Sequence, residues 1–95
     1  VPSMAKELPV GHLEGTALAV RTSAELGALV RAQRKRLVLK QLDIAGLGNT
    51  GNRFIVDLEN GKPTVQLQKV LDILDLLGLE LLVRTKAARS AGRPL

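Results

Sequence analysis

The sequence predicts a mainly α protein, a single small domain of four to five helices with a short apolar segment at each end of the helical region. Three observations predict it. Ninety-five residues with 45% apolar content suffice for one core, and leave no room for a multidomain enzyme with an enclosed site. Phe54 is the only aromatic residue, so the core is built from Leu, Val, Ile and Ala, which suits short packed helices. Apolar residues also recur at spacings of three and four through the middle of the chain, in runs separated by Gly, Asn and Pro.

Residues 1–15 hold prolines, glycines and scattered charges without a helical or strand period, and read as a flexible arm. The run Ala17, Leu18, Ala19, Val20, Arg21 is compatible with a short strand. Thr22 or Ser23 then caps a first helix, with Glu25 placed to suit the positive end of its dipole. Leu26, Leu29, Val30, Gln33 and Leu37 fall at helical spacing and give a core stripe, while Arg31, Arg34, Lys35 and Arg36 fall on the solvated faces. A second helix runs from Leu39 or Lys40 to Leu47, with Ile44 and Leu47 directed inward. Residues 48–52, Gly-Asn-Thr-Gly-Asn, form a compact turn, because Gly and Asn tolerate the positive φ that a sharp connection needs.

A third helix follows over Asn52–Glu59 with Ile55 and Leu58 at core spacing, and Asn60, Gly61, Lys62 and Pro63 stop it. Thr64 caps a fourth helix carrying Leu67, Val70, Leu71, Leu74 and Leu77, and Gly78 ends it. Residues 79–84 are short and apolar and read as a strand, which cannot stand without partners. Residues 85–95, with Lys86, Arg89 and Arg93 and no acid, read as a flexible basic tail. The ordered domain is therefore expected over residues 16–84.

Fourteen basic against nine acidic side chains give a net charge of +5, which favours a polyanionic partner. Cysteine is absent, which excludes disulfides and thiolate metal sites. No apolar stretch approaches the roughly 18 residues of a membrane span, and the chain reads as cytoplasmic. His12, the single histidine, lies in the arm without companions for a metal or catalytic site. Asp72 and Asp75 are one turn apart beside Leu71 and Leu74, a solvated helix face and not an acid/base pair. With no phosphate-binding glycine loop and no nucleophile motif, the expectation is a protein without catalysis, cofactor or metal.

Two short helices joined by a turn of about four residues, followed by a stop and a longer amphipathic helix, are the layout of a helix-turn-helix domain. Residues 39–47 (Leu-Lys-Gln-Leu-Asp-Ile-Ala-Gly-Leu) and 53–64 (Arg-Phe-Ile-Val-Asp-Leu-Glu-Asn-Gly-Lys-Pro-Thr) resemble the Xre-type helix-turn-helix family that includes phage repressors. Residues 58–63, the run 65–77 and the apolar segment after Gly78 are similar to HipB-type antitoxins within it. The resemblance spans residues 18–83. It implies a lambda-repressor-like domain whose terminal strands join a dimer sheet through Leu79, Leu81 and Val83.

The resemblance also implies the contacts. Lys40 and Gln41 would touch phosphate or neighbouring bases; Gly51, Asn52, Arg53 and Val56 would occupy the exposed reading positions of the third helix, with Thr50 also among the DNA-binding residues; Asn60 and Lys62 would sit near the backbone. Asn52 and Arg53 have fitting chemistry, since an amide pairs two-pronged with adenine and a guanidinium with guanine. Three positions depart from the family pattern: Asn49 replaces a turn glycine, Gly51 a capping hydroxyl, and Val56 a small polar residue. Val56 is suited to a thymine methyl. The implied function is a repressor that binds a palindromic duplex operator as a homodimer and serves as antitoxin to a HipA-type serine/threonine kinase. The alternatives are a free-standing Xre-type regulator without a toxin, and a protein-interaction adaptor that no longer binds DNA.

Overall fold

The computed structural model describes residues 17–86, and the arm at residues 1–15, His12 and most of the basic tail lie outside them. Four helices follow in order: α1 (Ser23–Arg36), α2 (Gln41–Leu47), α3 (Asn52–Glu59) and α4 (Leu67–Leu76). Each begins and ends for a local reason. Thr22 starts α1 with a capping box: its hydroxyl accepts from the Glu25 N–H at 3.0 Å, and the Glu25 carboxylate accepts from the Thr22 N–H at 3.2 Å. At α2 the Asp43 carboxylate accepts from the Lys40 N–H at 2.7 Å. The cap of α4 is Gln66 and not Thr64, because the first helical bond runs from the Val70 N–H to the Gln66 carbonyl. Val65 and Val70 then stand at staple spacing across that start, and both join the core.

All four helices end in the same way. One residue past the cap the backbone turns left-handed, at Val38, Asn49, Gly61 and Gly78. The amide after it reaches back to a carbonyl in the last turn: Leu39 to Arg34, Thr50 to Ala45, Lys62 to Asp57 and Leu79 to Leu74. Glycine and asparagine take that conformation at little cost, but a β-branched valine does not. Val38 holds φ +59° while 87% exposed, so strain there is not repaid by burial of its own side chain.

The core is Val30 from α1, Ile44 and Ala45 from α2, Ile55 and Leu58 from α3, and Val70, Ile73, Leu74 and Leu77 from α4 and its end. Leu26, Leu39, Phe54, Val65, Leu71 and Leu79 pack against it. Three expected core residues are corrected. Leu37 is exposed, because it caps the end of α1 where the chain turns away. Leu47 is exposed, because the inward stripe of α2 is Gln41, Ile44, Ala45 and Gly48, and Leu47 falls off it. Leu67 is exposed in the first turn of α4, where Val65 fills the core's end instead.

α1 and α3 lie backbone against backbone at Gly27. A Cβ added to Gly27 would fall on the Leu58 carbonyl oxygen and 2.7 Å from that of Glu59, so only glycine allows this approach. The Ser23 hydroxyl donates to the Gly61 carbonyl at 2.8 Å and fixes the other end of the crossing. Gln33 donates to the Leu77 carbonyl at 2.7 Å, satisfying an acceptor freed where α4 ends. Residues 17–21 and 79–84 pair in no hydrogen-bonded ladder within the described chain.

Candidate nucleic-acid interface

A buried polar cluster links α1, α2 and α3. Arg34 grips Glu59 two-pronged, Nε to Oε2 at 2.6 Å and Nη2 to Oε1 at 3.0 Å, and its Nη1 donates to the Leu39 carbonyl at 2.9 Å. The Gln41 amide donates to Glu59 Oε1 at 3.1 Å. One carboxylate at the end of α3 thereby joins α1 and the start of α2, and Arg34 ties in the α1–α2 connection through Leu39. The expectation that Arg34 lies on a solvated face is overturned. Its side chain is only 10% exposed, and a guanidinium at that depth requires a counter-ion and acceptors, which Glu59 and Leu39 supply.

Sequence reasoning missed Arg34 and Glu59 as determinants of this surface. They are 25 residues apart, and Arg34 sits within a run of basic residues that looks uniformly solvated. The only local signal is Glu59 ending a core-facing stripe with Ile55 and Leu58, a buried position for an acid.

The sequence-predicted residues divide. Gly51, Asn52 and Arg53 are exposed at the start of α3, with Gly51 as a cap that has no side chain to cover the free N–H groups. Lys40, Asn60 and Lys62 are exposed, and Val56 is half-buried on α3. Gln41 is half-buried and its N–H is committed to Glu59, so it holds the helix pair together at the place where contact with DNA was expected. The Thr50 hydroxyl oxygen is buried, with no hydrogen-bond partner, and does not join the exposed set. Arg53 pairs with Asp57 one turn on, Nε to Oδ1 at 3.2 Å, and Lys62 approaches Asp57 Oδ2 at 3.5 Å. Asp57 was not singled out from the sequence, although its spacing of four from Arg53 is a legible pairing signal. Phe54, half-buried, carries Lys69 over its ring at 5.7 Å from the centroid.

Of the expected dimer residues, Leu79 packs onto this chain's own core, whereas Leu81 and Val83 are exposed. Among the described residues no helix is long and apolar enough to cross a membrane, and no group of His, Cys, Asp and Glu is placed to hold a metal.

Two helices at a fixed angle, the second ending a tight turn and showing an amide and a guanidinium at its exposed start, define a helix-turn-helix module. The chain is 54% identical over 59 residues to the HTH-type transcriptional regulator y4mF of Sinorhizobium fredii, a match covering 62% of this chain and 78% of that protein. The chain belongs to this family of helix-turn-helix transcriptional regulators. Its fold is that of HipB: a solved HipB–O4 20mer complex superposes with a TM-score of 0.68 over 74% of this chain and 99% of that one, at 17% identity. No family model matches the sequence.

Proposed function

We propose that this protein is a sequence-specific repressor that reads duplex DNA as a homodimer and also serves as a HipB-like antitoxin. The observation that carries the DNA reading is the exposed Asn52 and Arg53 pair on a helix bolted to its neighbours by the Arg34–Glu59–Gln41 cluster. Base-edge contacts need a fixed helix angle, and phosphate contacts from Lys40, Asn60 and Lys62 fix register. The net charge of +5 supplies attraction independent of sequence. Selection from a random duplex pool, followed by titration against salt, tests it. A bound sequence of two inverted half-sites about one helical turn apart is expected. Equal affinity for every duplex would favour an adaptor.

The dimer rests on Leu18, Val20, Leu81, Leu82 and Val83, which are exposed on segments flanking the helical domain. Apolar segments of this length left unpaired invite strand addition, and a two-fold axis buries both copies at once. Sedimentation at micromolar concentration should show a dimer that Leu81→Lys weakens; a monomer unaffected by the change rules the strand interface out.

The antitoxin role rests on the similarity of residues 65–83 to HipB-type antitoxins, together with the fold. A dimer that represses while holding a kinase must keep α3 free, which leaves α1 and α4 for the kinase. Pull-down of a co-expressed neighbouring kinase by wild type and equally by Asn52→Ala/Arg53→Ala is expected. Loss of the partner in the double variant, or no partner at all, leaves a free-standing regulator.

A further inference from the structure

We propose that Asp57 is the residue that sets sequence discrimination on this surface, by aiming Arg53 and by competing with phosphate for Lys62. The inference rests on α3 reading DNA and assigns a role to an acid that such a surface otherwise disfavours.

Asp57 pairs with Arg53 on α3 and with Lys62 just past its end, and both of its oxygens are used. Oδ1 takes Arg53 Nε at 3.2 Å and Oδ2 faces Lys62 Nζ at 3.5 Å. The side chains are 85%, 52% and 18% exposed for Arg53, Lys62 and Asp57, so a half-sheltered anion anchors two outward cations. Pairs this exposed add little to folding, because water already solvates the charges, so stability does not explain the arrangement.

Its consequence lies in geometry and charge. Gripping Arg53 through Nε leaves the two terminal nitrogens as a forward fork, the shape that meets the O6 and N7 acceptors of guanine. An unheld arginine reaches any phosphate within its arc and reads nothing. The Asp57 charge also repels phosphate wherever the fork finds no base partner, and it competes for Lys62. Both effects lower affinity for unrelated duplex more than for a matched one, which is discrimination achieved by penalising the wrong partner.

The experiment uses the full chain, the duplex selected by wild type, and a scrambled duplex of equal composition. Asp57→Asn keeps the shape and removes the charge. The matched-to-scrambled affinity ratio should fall by at least about fivefold. Binding to the scrambled duplex should strengthen, with a salt slope steeper by about one unit as Lys62 is released to phosphate. Asp57→Glu, which keeps the charge, should retain most of the ratio and serves if the Asn variant melts early. On an Arg53→Ala background, Asp57→Asn should cost much less selectivity than it does alone, because only the Lys62 share is left, which a merely structural role would not predict. A ratio within about twofold of wild type in Asp57→Asn, or a full further loss on top of Arg53→Ala, overturns the assignment. A wild-type protein that selects no duplex removes the DNA reading itself, a result distinct from either.

Discussion

Glu59→Ala tests whether the buried cluster governs this domain. The carboxylate accepts two bonds from Arg34 and one from Gln41, so its loss leaves Arg34 with the Leu39 carbonyl and no counter-charge. Removing one partner of a buried pair costs about 3–5 kcal/mol, because the charge left behind is neither solvated nor paired. Against a total of roughly 5–15 kcal/mol for a domain, a chain of this size comes close to unfolding at ambient temperature. At about 4–8 °C per kcal/mol, the lower figure alone lowers Tm by at least about 12 °C. Urea denaturation at fixed protomer concentration reads the change, with the slope checked for an altered denatured state. A Glu59→Ala protein within about 1 kcal/mol of wild type would refute the reasoning, since it would mean that water reaches the guanidinium.

Three further outcomes follow. Val38→Asn should raise stability by about 0.5–1.5 kcal/mol, because Asn accepts the left-handed backbone at φ +59° and the valine side chain is exposed; thermal melts read it, and no gain refutes the strain. Gly27→Ala should destabilise by about 1–3 kcal/mol or more, since the new methyl meets backbone carbonyls and not a movable side chain; a neutral result would mean that α1 and α3 slide apart freely. Arg53→Ala should weaken the selected duplex by roughly 1–3 kcal/mol and relax selectivity, whereas Lys40→Ala should weaken all duplexes alike and reduce the salt slope by about one unit. Identical behaviour in both variants would sink this division of roles.

What the sequence discloses here is what is local. Gly61 and Gly78 end α3 and α4, and Asn49 ends α2, because a left-handed residue can be read from its own chemistry. Val38 makes the same turn against its chemistry, so nothing at that position announces it, and only the chain's need to fold back marks the place. The inward faces of α1 and α4 follow from period, but Leu47 and Leu67 show the limit: a short helix or a first turn is not long enough for period to decide a face. The exposure of Asn52, Arg53, Lys40 and Lys62 was legible for the same local reason. The commitment of Gln41 to Glu59, and of Arg34 beneath them, was not, because hydrogen bonds across 18 and 25 residues leave no mark in spacing.

That cluster also raises the question of why a reading surface would rest on an ion pair at all, when apolar side chains of similar volume are often as stable. Apolar contacts resist separation more than they resist sliding, whereas a two-pronged guanidinium–carboxylate pair has one geometry. For phosphate contacts a small rotation of α3 costs little, because oxygens line the whole backbone. For base edges it misplaces both prongs of Asn52 or Arg53. Replacing the pair together, Arg34→Met with Glu59→Leu, should therefore recover most of the stability lost in Glu59→Ala while losing selectivity first. The double variant is expected to fold cooperatively, to bind scrambled duplex about as well as wild type, and to show a reduced matched-to-scrambled ratio. Full selectivity in that stable double variant would show that the apolar core orients α3 by itself, and that Arg34 and Glu59 contribute only to folding.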